Sequence, residues 1–155
     1  MTMNDLEPLK ALLGQAERER DAAIAEHRRT QVAHEAAQAQ AEQLLSYRRD
    51  YEQRWSTRFQ RAAEIEVMRS YQGFMERLTL AVESQERAVE HAVLVVERAA
   101  ASLREHELRC ASVRRLIERR MHDWRAGVER REQRMLDELA ARSAAHRAGL
   151  ANRAF

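Results

Sequence analysis

One histidine and the single cysteine stand four residues apart, a spacing that could place two metal ligands on the same side of a helix. His106 and Cys110 would share a helix face if this region is helical. A structural zinc site needs four ligands, however, and the sequence has no cysteine pair. His27 and His34, seven residues apart, also share a face without completing a site. We therefore expect all four to be ordinary packing residues, and we predict no metal and no other cofactor.

Sequence motifs of catalysis are missing. There is no glycine-rich phosphate loop, and no serine, histidine and aspartate stand in loops that would suit nucleophilic catalysis. With one Cys in the chain, no disulfide can form within it. No apolar run approaches the roughly 18 residues of a membrane span, and the start lacks the basic-then-apolar pattern of a signal peptide. We predict a non-enzymatic, cytoplasmic protein.

The composition favours long helices over a layered core. Four Gly and one Pro leave few turn signals in 155 residues, and 34% of the residues are charged. Alanine, arginine, glutamate, glutamine and leucine dominate, and all of them form helices readily. Because much of the apolar content is alanine, a narrow seam between two helices suits the chain better than a thick core. High charge with few aromatics would also fit disorder, but the apolar residues recur periodically.

Two stretches carry the alternating three-and-four spacing of a coiled-coil seam. The second stretch is the more regular, and it consists of Val82, Gln85, Val89, Ala92, Val96, Ala99, Leu103, His106, Cys110, Val113, Ile117, Arg120 and Trp124. The first is apolar at both ends but polar in the middle, and it consists of Leu6, Leu9, Leu13, Ala16, Arg20, His27, Thr30, His34, Ala37, Ala41, Leu44, Tyr51 and Trp55. The two stretches predict two long helices.

The two seams match as an antiparallel pair. Facing residues have numbers that add up to 125, as in the pairs Tyr51 and Phe74, Tyr47 and Leu78, Leu44 and Ala81, and Gln40 and Gln85. We predict an all-α fold, a single coiled-coil domain over 1–155 in which two long helices form an antiparallel hairpin. Helix one covers about 6–58, the turn about 60–69 and helix two about 70–150. Leu6 would then face about Arg119, and the chain after Arg120 would overhang as a single helix.

Charge is unevenly distributed along the chain. Residues 114–155 hold eleven Arg and six acidic residues, whereas residues 62–113 hold six Arg and nine acidic residues. The basic C-terminal stretch could meet an acidic protein surface, nucleic acid or anionic lipid. It lacks interleaved aromatics and any nucleic-acid-binding module, so a solvated helix face is the simpler interpretation. Trp124 is either an exposed interface anchor or a residue that packs near Leu6 and Leu9.

Two blocks of the sequence form a recognisable pattern. They are Leu44-Leu45-Ser46-Tyr47-Arg48-Arg49-Asp50-Tyr51 and Tyr71-Gln72-Gly73-Phe74-Met75-Glu76-Arg77-Leu78, the latter followed by Ala81 and Gln85. The opening Leu9-x3-Leu13 belongs to the same pattern. Over residues 6 to about 90 the chain thereby resembles the FliJ family of flagellar export proteins, and its remainder matches only as a charged helix.

The resemblance implies a role in the bacterial flagellar type III export apparatus. FliJ-like proteins are antiparallel coiled coils that look like the central stalk of rotary ATPases. They dock the ends of their long helices in the pore of the hexameric export ATPase, FliI. They also contact the cytoplasmic domain of the export-gate protein FlhA and handle export chaperones. The resemblance thus implies a cytoplasmic protein, peripheral to the inner membrane, with no nucleic-acid partner.

Two sets of residues would carry these contacts. Matched residue by residue, the export-gate-binding patch comprises Gln40, Leu44, Tyr47, Tyr51, Phe74, Leu78, Ala81 and Gln85. Gln85 replaces a His that is common in the family, and it keeps hydrogen-bonding capacity without charge. The open end of the hairpin would be the ATPase-docking end, comprising Leu6, Leu9, Leu13, Arg119, Arg120, Trp124, Arg125, Arg130 and Arg131. We expect the patch aromatics at the surface and Leu44 and Leu78 partly buried at the seam.

Two other functions stay open from the sequence. One is the equivalent stalk protein of a virulence injectisome, which would share the fold and the mechanism. The other is an Arg-rich helical nucleic-acid-binding or scaffold protein, whose binding to DNA or RNA would depend steeply on salt. The Tyr47-Arg48-x2-Tyr51 block favours the flagellar relative over the injectisome relative.

Overall fold

Two α-helices account for almost all of the described chain. The computed structural model describes residues 3–59 and 64–154, with side chains from Asp5 onward. A short 3₁₀ helix, Met3–Leu6, leads into α1, Glu7–Phe59, and α2 follows as Ile65–Arg153. No strand occurs within these ranges. The predicted all-α fold, with two long helices packed against each other as a hairpin, is confirmed.

Helix α1 runs without interruption through the polar middle of its seam. Pro8 stands in its first turn, where a missing backbone N–H leaves no hydrogen bond unmade. Thr30 is buried, but its hydroxyl donates a 2.7 Å hydrogen bond to the carbonyl oxygen of His27 in the same helix. Its polar group is therefore satisfied locally, and the seam can continue past it.

Helix α2 begins five residues before the predicted start. The predicted turn at about 60–69 includes residues 60–63, which lie outside the described residues, whereas 65–69 belong to α2. The Met68 amide donates to the carbonyl oxygen of Glu64 at 3.1 Å and closes the first turn. The β-branched residues Ile65 and Val67 disfavour a helix by only about 0.5 kcal/mol each relative to alanine. The backbone hydrogen bonds gained by extending the helix outweigh this small penalty.

The chain divides into two compact units. One unit comprises residues 1–17 with 108–155, and the other comprises residues 18–107. In the 18–107 unit, segments of α1 and α2 pack antiparallel, and the buried residues are Thr30, Leu78 and Val82. In the other unit, the buried residues are Leu6, Ala16, Cys110, Val113 and Ile117.

The predicted seams coincide with the covered faces of both helices. Every residue assigned to either seam is buried or half-buried. Most are half-buried, because two helices alone cannot enclose a side chain on all sides. The predicted register also holds in the 18–107 unit, where His106 Nδ1 lies 3.9 Å from Glu19 Oε2. The numbers of these two residues again add up to 125.

The exposed end of α2 begins later than predicted. The sequence predicts an overhang after Arg120, but residues between Met121 and Val128 still include half-buried ones, Trp124 among them. From Glu129 to Ala154 every residue is exposed. This stretch is helical as far as Arg153. It therefore makes its backbone hydrogen bonds within the helix while its side chains face solvent.

Candidate functional site

Six aromatic side chains gather in the 18–107 unit. Four follow one another at four-residue intervals on α1, a spacing that puts them on one helix face, and two come from α2. This aromatic cluster comprises Tyr47, Tyr51, Trp55 and Phe59 of α1 with Tyr71 and Phe74 of α2. It contains all three tyrosines of the sequence. The cluster thus contains six of the eight aromatic residues in the sequence.

Tyr51 is the centre of the aromatic cluster. Its ring centroid lies 4.5 Å from that of Phe74 and 5.7 Å from that of Tyr71, both across the helix pair. Within α1 it contacts the rings of Trp55 at 5.8 Å and Tyr47 at 6.2 Å. Ring pairs at such separations attract each other beyond the area that they bury. These contacts make Tyr51 a major part of the packing between the two helices.

Tyr47 stands at the edge of the aromatic cluster and is 50% exposed. The edge-on contact of its ring with Phe74, at 6.4 Å and 75°, fixes the direction of the side chain. A tyrosine that is held on one side and open on the other can bury its apolar ring against a partner and keep its hydroxyl hydrogen-bonded. Tyr47 is the best-placed interface anchor among the patch residues.

The phenol of Tyr71 has a raised pKa. Burial raises the pKa of its phenol above the ordinary value, and the nearby Glu52 carboxylate and Tyr51 raise it further. Its ring lies between those of Trp55 at 5.5 Å and Phe59 at 5.2 Å. The phenol is therefore neutral at physiological pH, and Tyr71 behaves as part of the packed cluster.

The patch implied by the resemblance mixes surface and covered residues. Leu78 is buried, Leu44, Tyr51, Phe74 and Gln85 are half-buried, and Gln40, Tyr47 and Ala81 are exposed. Ring contacts bring Tyr47, Tyr51 and Phe74 directly together. The eight residues are thus partly seam and partly surface, and their role in binding a gate protein stays a prediction.

Gln85 makes a specific contact between the helices. Its side-chain Nε2 donates a 2.9 Å hydrogen bond to the backbone carbonyl oxygen of Ala37 on α1. The residue is half-buried, and this bond satisfies one of the two N–H donors of its side-chain amide inside the 18–107 unit. The contact assigns Gln85 a positioning role beside any direct contact with a partner.

The residues predicted for the ATPase-docking end also differ in exposure. Leu6 is buried, Leu9, Leu13, Arg120 and Trp124 are half-buried, and Arg119, Arg125, Arg130 and Arg131 are exposed. The side chains of two of the arginines donate hydrogen bonds to backbone carbonyl oxygens one turn earlier in their own helix. Arg130 Nε donates to the carbonyl oxygen of Ala126 at 3.2 Å, and Arg131 Nε donates to that of Gly127 at 3.3 Å. The apolar members therefore support this region, and the exposed arginines are its charged surface.

A shallow basic groove runs along α2 in the unit that contains residues 108–155. Its lining comprises Arg115, Glu118, Arg119, Met121, His122 and Arg125. Three arginines and one acidic residue give it a net positive charge at neutral pH. Beside the groove, Arg114 forms an exposed ion pair with Glu17 of α1 at 3.3 Å. Charge and partial apolarity together suit an acidic protein surface.

The histidine and cysteine positions act as packing residues. His106 is half-buried and lies 3.9 Å from the Glu19 carboxylate, and Cys110 is only 1% exposed. Across residues 3–59 and 64–154, no three His, Cys, Asp or Glu side chains come together in a group that could hold a metal ion.

Sequence reasoning missed the extent of the aromatic cluster. It assigned Tyr47, Tyr51 and Phe74 to the patch and Trp55 to the seam, without joining Phe59 and Tyr71 to them. The available signal was the four-residue spacing from Tyr47 through Trp55 to Phe59, which places all four α1 rings on one face. Tyr71 faces this row from α2.

Among the described helices, none has a stretch long and apolar enough to cross a membrane.

Comparison with known proteins places the chain in a family. No curated protein and no solved structure matches the chain. The family model described as the flagellar FliJ protein matches residues 5–149, which is nearly the whole chain and includes the C-terminal half that carries no recognisable motif. The chain therefore belongs to the FliJ family, whose members are non-enzymatic components of the flagellar export apparatus.

Proposed function

We propose that this FliJ-family protein is the coiled-coil stalk of the hexameric export ATPase and links it to the export gate. The observation that carries the proposal is the character of α2 beyond Val128. Every residue from Glu129 to Ala154 is exposed, and after Glu138 the sequence has three Arg and no acidic residue. A basic helix with exposed side chains would be attracted electrostatically to an acidic surface lining the pore of the ATPase ring.

Side-chain size supports the same function. Residues 139–154 include seven Ala and one Gly, so this part of α2 is narrower than an average helix, which measures roughly 10–12 Å across with its side chains. A narrow helix can enter the central opening of a ring that would exclude a helix pair. The two exposed leucines, Leu139 and Leu150, would supply the apolar contacts inside it.

The aromatic cluster supports the link to the gate. Tyr47 offers half of its surface to solvent while its ring is held against Phe74. Exposed, preoriented tyrosines are common anchors of protein interfaces, because little conformational entropy is lost when they bind. Binding to the gate would bring the chain to the cytoplasmic face of the inner membrane. Export chaperones would be further partners on the remaining surface.

The stalk role is tested by measuring ATP hydrolysis of the purified export ATPase with added full-length chain. The variant Arg142→Glu/Arg147→Glu/Arg153→Glu reverses the basic charge of the segment without removing it. We expect wild type to stimulate hydrolysis and the variant to lose most of that stimulation. The matched control is Arg28→Glu/Arg69→Glu/Arg104→Glu, three exposed arginines outside this segment, which should stimulate like wild type.

A chain that ends at Arg120 provides the second arm of the test. It lacks the whole exposed segment and should neither bind nor stimulate the ATPase. If stimulation survives both the charge reversal and the truncation, the stalk function is wrong, and membership of the family is unaffected.

A further inference from the structure

One line of aliphatic residues on α2 passes from a covered to an uncovered surface. Eleven residues, or about three helical turns, separate each member from the next in the series Ile117, Val128, Leu139 and Leu150. Ile117 is buried, Val128 is half-buried, and the two leucines are 58% and 55% exposed. All four lie in the unit in which the first turns of α1 pack against α2. The side of α2 that is covered at Ile117 is therefore the side that carries the two exposed leucines.

Every leucine, arginine and histidine between residues 139 and 153 stands on this same side of α2. At about 100° per residue, these six residues share a face about 140° wide, and Ser143 lies among them. The rest of the circumference carries six alanines, Gly149 and Asn152, and we call it the small-residue face. What we call the large-residue face comprises Leu139, Arg142, His146, Arg147, Leu150 and Arg153.

Arginines flank the leucines of the large-residue face. Leu139 and Leu150 lie along its middle, Arg142 and Arg153 along one margin and Arg147 along the other. None of the three arginines has an ion-pair partner among the residues that the structure describes. An apolar centre between charged margins is the arrangement of a coiled-coil interface. The large-residue face thus has the composition of a contact surface.

The small-residue face is the weaker candidate for contact. Burial of apolar surface contributes roughly 25 cal/mol per Å², and an alanine side chain has far less surface to bury than a leucine. The small-residue face also has no charged residue that could pair with a carboxylate. Its alanines instead keep this side of the helix narrow.

We propose that the exposed segment binds the lining of the ATPase ring through the large-residue face alone. The lining then presents an apolar strip to the two leucines, with carboxylates on both sides of that strip for the three arginines. It lies against the side of α2 that is covered at Ile117. The inference rests on the stalk function, and it adds which side of the helix binds and which chemistry the lining presents there.

Two variants with the same change in net charge test the binding face. Arg142→Gln/Arg153→Gln and Ala141→Glu/Ala148→Glu each lower the net charge by two, but only the first removes groups from the large-residue face. Titration of the purified export ATPase with the full-length chain measures Kd at about 150 mM salt, which screens long-range attraction. We expect Kd to rise at least about tenfold in the arginine variant and less than about threefold in the glutamate variant.

A second pair of variants tests the apolar centre of the face. Leu139→Ala/Leu150→Ala leaves the charge unchanged and should raise Kd at least about tenfold. The matched control is Leu80→Ala/Leu94→Ala, which changes two leucines that are also more than half exposed but lie outside this segment. The control should bind like wild type. Circular dichroism of each variant checks that α2 remains helical.

The outcomes separate this inference from the stalk function. A wild-type chain that does not bind the ATPase overturns both. If wild type binds and the glutamate variant loses at least as much affinity as the arginine variant, contact is not confined to the large-residue face. The inference is then wrong, whereas the stalk function stands. Unchanged affinity in Leu139→Ala/Leu150→Ala has the same meaning, because the lining then makes no apolar contact with the centre of the face.

Discussion

The ring of Tyr51 lies 4.5 Å from the ring of Phe74, centroid to centroid, and this is the closest ring contact between α1 and α2 in the aromatic cluster. Around it Tyr51 meets three further rings, whereas Tyr47 at the edge meets two. Two tyrosines one helical turn apart therefore have different roles. One holds the hairpin together, and the other offers a surface.

Replacing Tyr51 by alanine should destabilise the fold strongly. The substitution removes four ring contacts and leaves a gap between the helices, which should cost about 2–4 kcal/mol of unfolding free energy. Tyr47→Ala removes a half-exposed ring and should cost about 1 kcal/mol or less. Urea unfolding followed by circular dichroism measures both. Equal losses for the two variants would show that the cluster is not centred on Tyr51.

Tyr47→Ala should weaken binding to the cytoplasmic domain of the export gate while leaving the fold intact. Truncation of an interface anchor should raise Kd at least about tenfold. Titration calorimetry with the purified gate domain measures the affinity, and a thermal melt checks the fold. Arg49→Ala, an exposed change two residues away, is the control. Unchanged affinity in Tyr47→Ala would remove this residue from the gate contact.

Tyr71 should ionise at a higher pH than an ordinary tyrosine. Its pKa is raised first by burial and then by Glu52 and Tyr51. Because the folded state holds this proton more tightly than the unfolded state, the stabilisation is complete below the ordinary tyrosine pKa of about 10. It is lost as pH rises through the folded value. Ultraviolet titration should show the highest-pH step disappear in Tyr71→Phe and move to lower pH in Glu52→Gln. A highest-pH step that persists in Tyr71→Phe would belong to another tyrosine.

Gln85→Met should lower stability by about 1 kcal/mol, because it keeps the length of the side chain but removes the hydrogen bond to the Ala37 carbonyl oxygen. Gln40→Met, the same change at an exposed patch position, should alter stability by less than about 0.5 kcal/mol. Urea midpoints of the two variants give the comparison. A Gln85→Met chain as stable as wild type would mean that the bond contributes nothing net.

The seams could be derived from the sequence because each depends on spacing alone. Three-and-four intervals from Val82 to Trp124 leave one possible covered face on a helix, and the antiparallel register then pairs Tyr51 with Phe74. The start of α2 could not be derived in the same way. The helix-propensity penalty of Ile65 and Val67 is smaller than the free energy gained by extending the helix through them. Both energies are small, so the sequence alone does not show which of them is larger.

The direction of individual side chains also could not be predicted from the residue spacing. The resemblance assigned Gln85 to a binding patch, and nothing in its position indicates that the amide turns towards Ala37. Spacing fixes which face a residue occupies. The choice between an internal hydrogen bond and solvent depends on distances of a few tenths of an ångström across the helix pair. Tyr47 is exposed beside the half-buried Tyr51, because Tyr51 lies on the seam at the centre of the aromatic cluster and Tyr47 lies at its edge.

Cys110 carries the only thiol in the chain and is 1% exposed. A thiol-specific reagent can reach it only when the local packing opens. The rate at which Cys110 is labelled therefore reports how often this packing opens. The readout needs no engineered probe, because there is no second sulfhydryl to compete for the reagent. If binding of a ring-shaped partner stabilises the packing around Cys110, the labelling rate of Cys110 should fall when the partner is added.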